Sequence, residues 1–181
     1  MEPEFLIAQS VLMIITQTGI AMPKAIQCIA LLASNHTIKI KNTPQDFQRR
    51  SDAPLARSMV LQGAEILLYP TAIGGEPETD GFDSSDMWQR AMIGHSAQNQ
   101  VPVIASNRIG TEQGIDNSNY FYGRSFITNH VGDKIAEADR ETQQVLIGEL
   151  DLKEAETLRN VWGIFRDRRP DLYSTLMSVD G

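Results

Sequence analysis

The stretch Glu65-Ile66-Leu67-Leu68-Tyr69-Pro70-Thr71-Ala72-Ile73-Gly74-Gly75-Glu76-Pro77 decides the fold. Its unbroken apolar run, Ile66 to Tyr69, follows a helix-like stretch and is stopped by Pro70, so it reads as a short strand buried on both faces. Such strands sit in the middle of a sheet. Gly74-Gly75 then frees the backbone and Pro77 stiffens it, which leaves Glu76 in a loop near the carboxyl end of the strand. In open α/β sheets ligands collect at those ends.

Outward from this stretch the chain is well punctuated on both sides. Asp52 as a cap, Pro54 in the first turn and Gly63 as a stop predict a helix that feeds the strand. Ser84 or Ser85 caps a second helix reaching about Gln98, with Asp86 placed to favour the helix dipole. Trp88, Met92, His95 and Asn99 share one stripe of that helix, where His95 and Asn99 read as satisfied polar groups on a packed face. Val101 to Ser106 reads as a second buried strand ending in Asn107-Arg108, a pair that reads either as a border of the site or, more readily, with Arg108 as an anchor of the adjacent loop or of a subunit contact. Thr111 to Asn119 reads as an irregular polar loop. Phe121–Thr128, Lys134–Glu137 and Val145–Leu150 then predict an antiparallel meander, and Lys153–Val161 a short helix.

Residues 1–52 hold no sustained period. A helix over Glu4–Gln17, another over Pro23–Ser34 and a strand over Thr37–Lys41 are the expectations there. Phe5 to Met22 contains Gln9, Ser10, Thr16, Gln17 and Thr18, and acidic Glu2 and Glu4 precede it, so neither a signal peptide nor a membrane span is expected.

Composition narrows the function. The 181 residues are 41% hydrophobic and 22% charged, an ordinary globular balance for one domain or a large part of one. The net charge of -7 argues against a nucleic-acid partner, because phosphate binding needs clustered Lys and Arg, and it favours a cationic ligand. A single cysteine, Cys28, excludes an internal disulfide and a Cys-based zinc site and fits a reducing, cytoplasmic location. The three histidines, His36, His95 and His130, have no ligand spacing, so neither a metal nor another cofactor is expected.

Several long runs carry a resemblance: Met59 through Glu65, Tyr69 through Gly74, Ala105 through Gly110, Phe121-Tyr122-Gly123 and Trp162 through Tyr173. They resemble the carboxyl-terminal part of the carbon-nitrogen hydrolase (nitrilase-like) superfamily, and within it the N-carbamoylputrescine amidohydrolases. The resemblance implies an α/β (α+β) fold, a partial α-β-β-α sandwich of the nitrilase type, over residues 53–181, with residues 1–52 unassigned as a truncated or frame-disrupted segment. It implies homo-oligomers, to which the mixed aromatic and charged tail from Trp162 to Tyr173 contributes a docking surface and inter-subunit ion pairs.

It also implies a reaction. A cysteine thiolate attacks a carbamoyl carbon, a glutamate acts as base, a lysine stabilises the oxyanion, and water releases the acyl-enzyme. From N-carbamoylputrescine the products are putrescine, carbon dioxide and ammonia. The family's nucleophile opens a run resembling Cys-Trp-Asp-Gln-Trp-Phe-Pro-Glu-Ala-Ala-Arg, whose last two residues match Ala56-Arg57. Counting back puts the sulfur position on Phe47 and the flanking glutamate on Pro54, and neither can do the chemistry. No catalytic residue is therefore assigned. Cys28 reads as a small buried apolar side chain and Lys24 as a surface charge.

The binding candidates are Glu76, Tyr69, Pro70, Thr71 and Ala72. Glu76 stands where the resemblance puts a carboxylate against the distal ammonium of a carbamoylated diamine; on its own it reads as a solvated turn residue. Tyr69 to Ala72 read equally as pocket wall and as core packing. A different class of function, a non-catalytic oligomerisation or interaction subunit built on the same fold, is the rival. A search of every upstream reading frame separates the two: the frame-disruption reading expects the Cys-Trp-Asp run, and its absence favours the rival.

Overall fold

The computed structural model describes residues 10–17, 29–33, 40–42, 53–75, 82–114 and 118–178. The strand read first is β4, Ile66–Pro70, and it lies inside a sheet as expected. It runs parallel to β3, Ile40–Asn42, on one side and to β5, Val103–Ser106, on the other. Parallel neighbours require crossover connections. Helix α1, Ala53–Leu61, connects β3 to β4, and helix α2, Ser85–Asn99, connects β4 to β5. Beyond β5 the sheet continues antiparallel through β8, Phe126–Thr128, to β9, Lys134–Glu137.

Strand periodicity divides the apolar residues of this sheet between two cores. Leu67, Tyr69, Val103, Ala105 and Phe126 pack with Ala56, Met59 and Val60 of α1 and with Trp88 and Met92 of α2. Ile66, Leu68, Ile104 and Ile127 pack with Leu150 and Leu152. Leu150 belongs to β10, Gln144–Asp151, which forms a second sheet with β1, Ser10–Gln17, and β2, Ile29–Ala33. The layers are therefore helices, a five-stranded sheet and a three-stranded sheet. The sheets approach closely at Gly148, where an added Cβ would lie 3.0 Å from Ile135 Cδ1 and 3.1 Å from Ile127 Cδ1. Helix α3, Leu152–Trp162, follows, capped by the Asp151 carboxylate accepting from the Glu154 amide at 2.8 Å.

Several expectations are corrected. Ser10–Gln17 is a strand rather than part of a helix, paired antiparallel with all of β10 from Ser10↔Asp151 to Gln17↔Gln144. Ile29–Ala33 is likewise a strand where a helix was expected. Backbone partners, β10 for the first strand and β1 for the second, settle what an aperiodic apolar run left open. β3 overlaps the strand expected over Thr37–Lys41. The meander stops at β9, because β10 crosses to the other sheet. The supposed polar loop is a hairpin of β6, Ile109–Gln113, and β7, Ser118–Tyr122; its outer residues are exposed, which is why it is polar. The expected strand over Phe121–Thr128 is broken at Gly123 and Arg124, whose φ values are 59 and 60 degrees.

Cys28, Lys24, His36, Phe47, Glu76 and Pro77 lie outside the described residues. Among the described residues no helix is long and apolar enough to cross a membrane.

Ile104 is wholly buried between the sheets, whereas Ile147 on the far side of β10 is 58% exposed. Ile104→Ala is expected to cost about 2–5 kcal/mol in denaturant unfolding. Ile147→Ala should change stability by no more than about 0.5 kcal/mol.

Candidate functional site

β4 and β5 are parallel neighbours, so their carboxyl ends reach the same edge of the sheet. There the apolar runs give way to Thr71 and to Ser106-Asn107. The Thr71 amide donates to the Ser106 carbonyl at 2.7 Å, and the Thr71 hydroxyl lies 2.8 Å from that carbonyl and 2.9 Å from Asn107 Oδ1. Asn107 Oδ1 also accepts from the Ile73 amide at 2.8 Å, while Nδ2 donates to the carbonyls of Ile73 and Gly123, each at 2.9 Å. The Ser106 hydroxyl is buried at the same edge and finds no partner among the described residues. It is a polar group available to a bound molecule or water.

The loop leaving β4 is held at its far end as well. Gly74 bridges to Phe121, and the Gly75 amide donates to the Tyr120 carbonyl at 2.7 Å. A Cβ on Gly74 would stand 2.0 Å from that carbonyl oxygen, so only glycine passes here. Arg108 steadies the hairpin from below, with its guanidinium 4.3 Å from the centre of the Phe121 ring and paired with Glu112. The chain is thus delivered at Gly75 in a fixed place, one residue before Glu76.

The binding candidates separate by surroundings. Thr71 is buried in the hydrogen-bonded edge, Pro70 is half-buried and Ala72 is exposed. The Tyr69 ring turns into the helix-facing core, with its hydroxyl 2.6 Å from His95 Nδ1. Burial pushes the Tyr69 phenol well above its ordinary value of 10.0. His95 and Asn99 are polar groups on a packed helix, the Asn99 amide donating to the His95 carbonyl at 2.8 Å.

Sequence reading missed the group that supports this edge from the other side. Arg124 pairs with Asp86 and Glu137 and donates to Ser85 Oγ at 2.9 Å and to Gln89 Oε1 at 2.7 Å. Burial works against its charge, but the two carboxylates outweigh it and hold its pKa above the usual range. Burial likewise raises the Glu137 carboxyl, and hydrogen bonds from Lys134 and Gln89 more than reverse the shift. Nothing in the local sequence joins Ser85, Gln89, Arg124 and Glu137; only packing of α2 over the Gly123 turn does.

In the tail, Arg166 lies 2.7 Å from Asp167 and Arg169 2.6 Å from Asp171 within the chain. A cavity of about 490 Å³ lined by Val60, Leu61, Ala64, Glu65, Arg159 and Phe165 includes none of the binding candidates. Among the described residues no group of three or more His, Cys, Asp or Glu side chains is gathered to hold a metal ion.

Residues 53–160, which contain this whole edge, match the family model described as carbon-nitrogen hydrolase. The chain belongs to the carbon-nitrogen hydrolase family. It is 56% identical over 122 residues to a citrullinase of Francisella tularensis, covering 67% of this chain and 43% of that one. It is 53% identical over 131 residues to an N-carbamoylputrescine amidase of Arabidopsis thaliana, covering 70% of this chain and 44% of that one. The fold resembles a carbon-nitrogen hydrolase from Helicobacter pylori G27 with a TM-score of 0.68 and 33% identity, over 77% of this chain and 48% of the other. The chain therefore spans less than half the length of these relatives. The two sheets and the helix layer are the nitrilase-type architecture that the resemblance implied.

Because the Tyr69 phenol is raised in the folded protein, the stability tied to its proton is intact below pH 10.0 and is lost as pH rises through the raised value. Denaturant midpoints are expected to fall above about pH 10, and to fall less steeply in Tyr69→Phe.

Proposed function

We propose that this chain carries the substrate-recognising wall of an amidase that cleaves the carbamoyl C–N bond of N-carbamoylputrescine, with water, to putrescine, carbon dioxide and ammonia. The observation that carries the reading is the anchoring of Ile73 and Gly75, which precede Glu76 in the sequence. Ile73 and Gly75 are both pinned by hydrogen bonds at the ligand-collecting edge of the sheet, and the next residue is a carboxylate.

The names of the relatives support the chemical class. Citrulline and N-carbamoylputrescine both end in a ureido group and both carry an amine at the other end. A hydrolase wall built for either has a cation to recognise. A carboxylate paired with that ammonium, partly withdrawn from water, contributes about 1.5–3 kcal/mol. N-carbamoylputrescine has no carboxylate to repel Glu76, whereas citrulline has one, and this favours the diamine derivative.

The sulfur of the family's nucleophile has no counterpart at Phe47. We infer that the chain's own contribution is recognition and that it does not turn substrate over by itself. Calorimetric titration with N-carbamoylputrescine, beside an ammonia-release assay, tests both parts. Binding is expected without ammonia release, and Glu76→Gln should weaken it by about tenfold to a hundredfold. An unchanged affinity in Glu76→Gln sinks the cation assignment, and release at a relative's rate sinks the recognition-only reading.

One observation favours a second role, as an oligomer-forming subunit. Val161, Trp162, Leu172 and Met177 are 75%, 65%, 64% and 88% exposed, a run of apolar side chains around the tail. On a sizing column the chain is expected to elute as a homo-oligomer and a Trp162→Glu variant at lower mass. An unshifted profile removes the tail from the interface.

A further inference from the structure

We propose that the cavity at the amino end of β5 is a binding site for an aliphatic diamine or polyamine. It is separate from the edge formed by Thr71, Ser106 and Asn107 and does not depend on the reading given to that edge.

The cavity measures about 330 Å³ and lies between the start of β5, the turn at His130, the end of β10 and the first turn of α3. Pro102 lines it, whereas the polar edge begins at Ser106, about 13 Å away along the strand. Its charge is one-sided. Glu149 and Asp151 stand two residues apart on β10 and so share a face, and Glu154 follows in the first turn of α3. All three line the cavity, and no Lys or Arg does. The Asp151 carboxylate uses one oxygen to accept from the Glu154 amide at 2.8 Å. The side chains of Glu149 and Glu154 make no hydrogen bond or ion pair among the described residues. The dipole of α3 favours carboxylates at its start, which accounts for Asp151 and Glu154 but not for Glu149.

His130 points to a ligand on separate grounds. It is 8% exposed, lines the same cavity, and its ring makes no hydrogen bond among the described residues. A buried imidazole ordinarily has a partner, so its ring nitrogens are left for a group inside the cavity. The turn that carries it is fixed beforehand. Asn129 Oδ1 accepts from the amides of Val131 at 3.1 Å and Asp133 at 2.9 Å, and the Asn129 carbonyl lies 2.6 Å from Ser96 Oγ.

These groups select the class of ligand. Carboxylates and a neutral imidazole nitrogen accept hydrogen bonds, and an ammonium has three to donate. Among the described residues no three such groups converge closely enough to hold a metal ion. The complementary ligand therefore spreads its charges along a chain, with methylenes against the buried Pro102 and Leu150. A diamine or polyamine has this pattern, and an anion or a neutral amide does not.

Calorimetric titration of the full chain with spermidine, putrescine, butylamine and magnesium chloride tests the site. Putrescine is expected to bind at least about tenfold more tightly than butylamine, and spermidine more tightly still, because each ammonium adds a charge-assisted pair. Glu149→Gln combined with Glu154→Gln changes two exposed side chains and leaves the Asp151 cap in place. It should weaken spermidine by about tenfold to a hundredfold. A control that removes the same charge outside the cavity, Glu141→Gln with Asp171→Asn, should leave the affinity within about twofold. The resonances of His130 should move as spermidine is added to the wild-type chain. Absence of spermidine binding, an unchanged affinity in the cavity variant, an equal loss in the control or unmoved His130 resonances overturns the proposal. So does displacement of spermidine by magnesium at equal concentration, which marks a diffuse counterion atmosphere. No carbamoyl compound is used, so this outcome is separate from that of the proposed reaction.

Discussion

The constraint on which the structure depends is the burial of one sheet on both faces. β4 and β5 are covered by helices on one side and by a second sheet on the other, and every side chain along them from Ile66 to Tyr69 and from Val103 to Ala105 is enclosed. Such a sheet offers no side-chain chemistry along its length, since an unpaired polar group there would cost about 1–3 kcal/mol. Polar residues can enter only where the strands end. That is where Thr71, Ser106 and Asn107 stand, and the parallel pairing of β4 with β5 puts all three at one edge.

From this edge the anchoring of the loop follows by short steps. A loop leaving a buried strand has backbone groups to satisfy, and here a side-chain amide rather than another strand satisfies them. An amide fixes distance and plane together, which a longer or charged side chain would not. The hairpin of β6 and β7 closes the far end, and Gly74 is needed because the Tyr120 carbonyl leaves no space for a Cβ. Residues 71–75 are therefore held in place for reasons independent of any ligand, and holding a segment before binding spares the cost of ordering it on binding.

Much of this was legible in the residues. The uninterrupted run at Ile66–Tyr69 gave the strand because two-sided burial removes alternation, and the long matching runs gave the family. The two-core division was not legible, because it depends on which sheet lies behind Ile66 and Leu68, and β10 comes from some eighty residues away. The strand at Ser10–Gln17 was misread as a helix for the same reason: its partner is remote, and its own pattern favours neither state. The hairpin was misread as a loop because exposure makes its residues polar without making them irregular. The signal at the edge was the change from an apolar strand to Asn107-Arg108 at its end.

Sequence by itself determined the family and the position of the central strand, since each depends only on residue identity and local order. Tertiary structure alone decided that Tyr69 turns inward to His95, that Arg124 braces the Gly123 turn and that Asn107 joins three segments. The physical reason is that hydrogen bonds and packing act over a few ångströms in space, and folding brings together groups whose separation along the chain carries no trace of the contact.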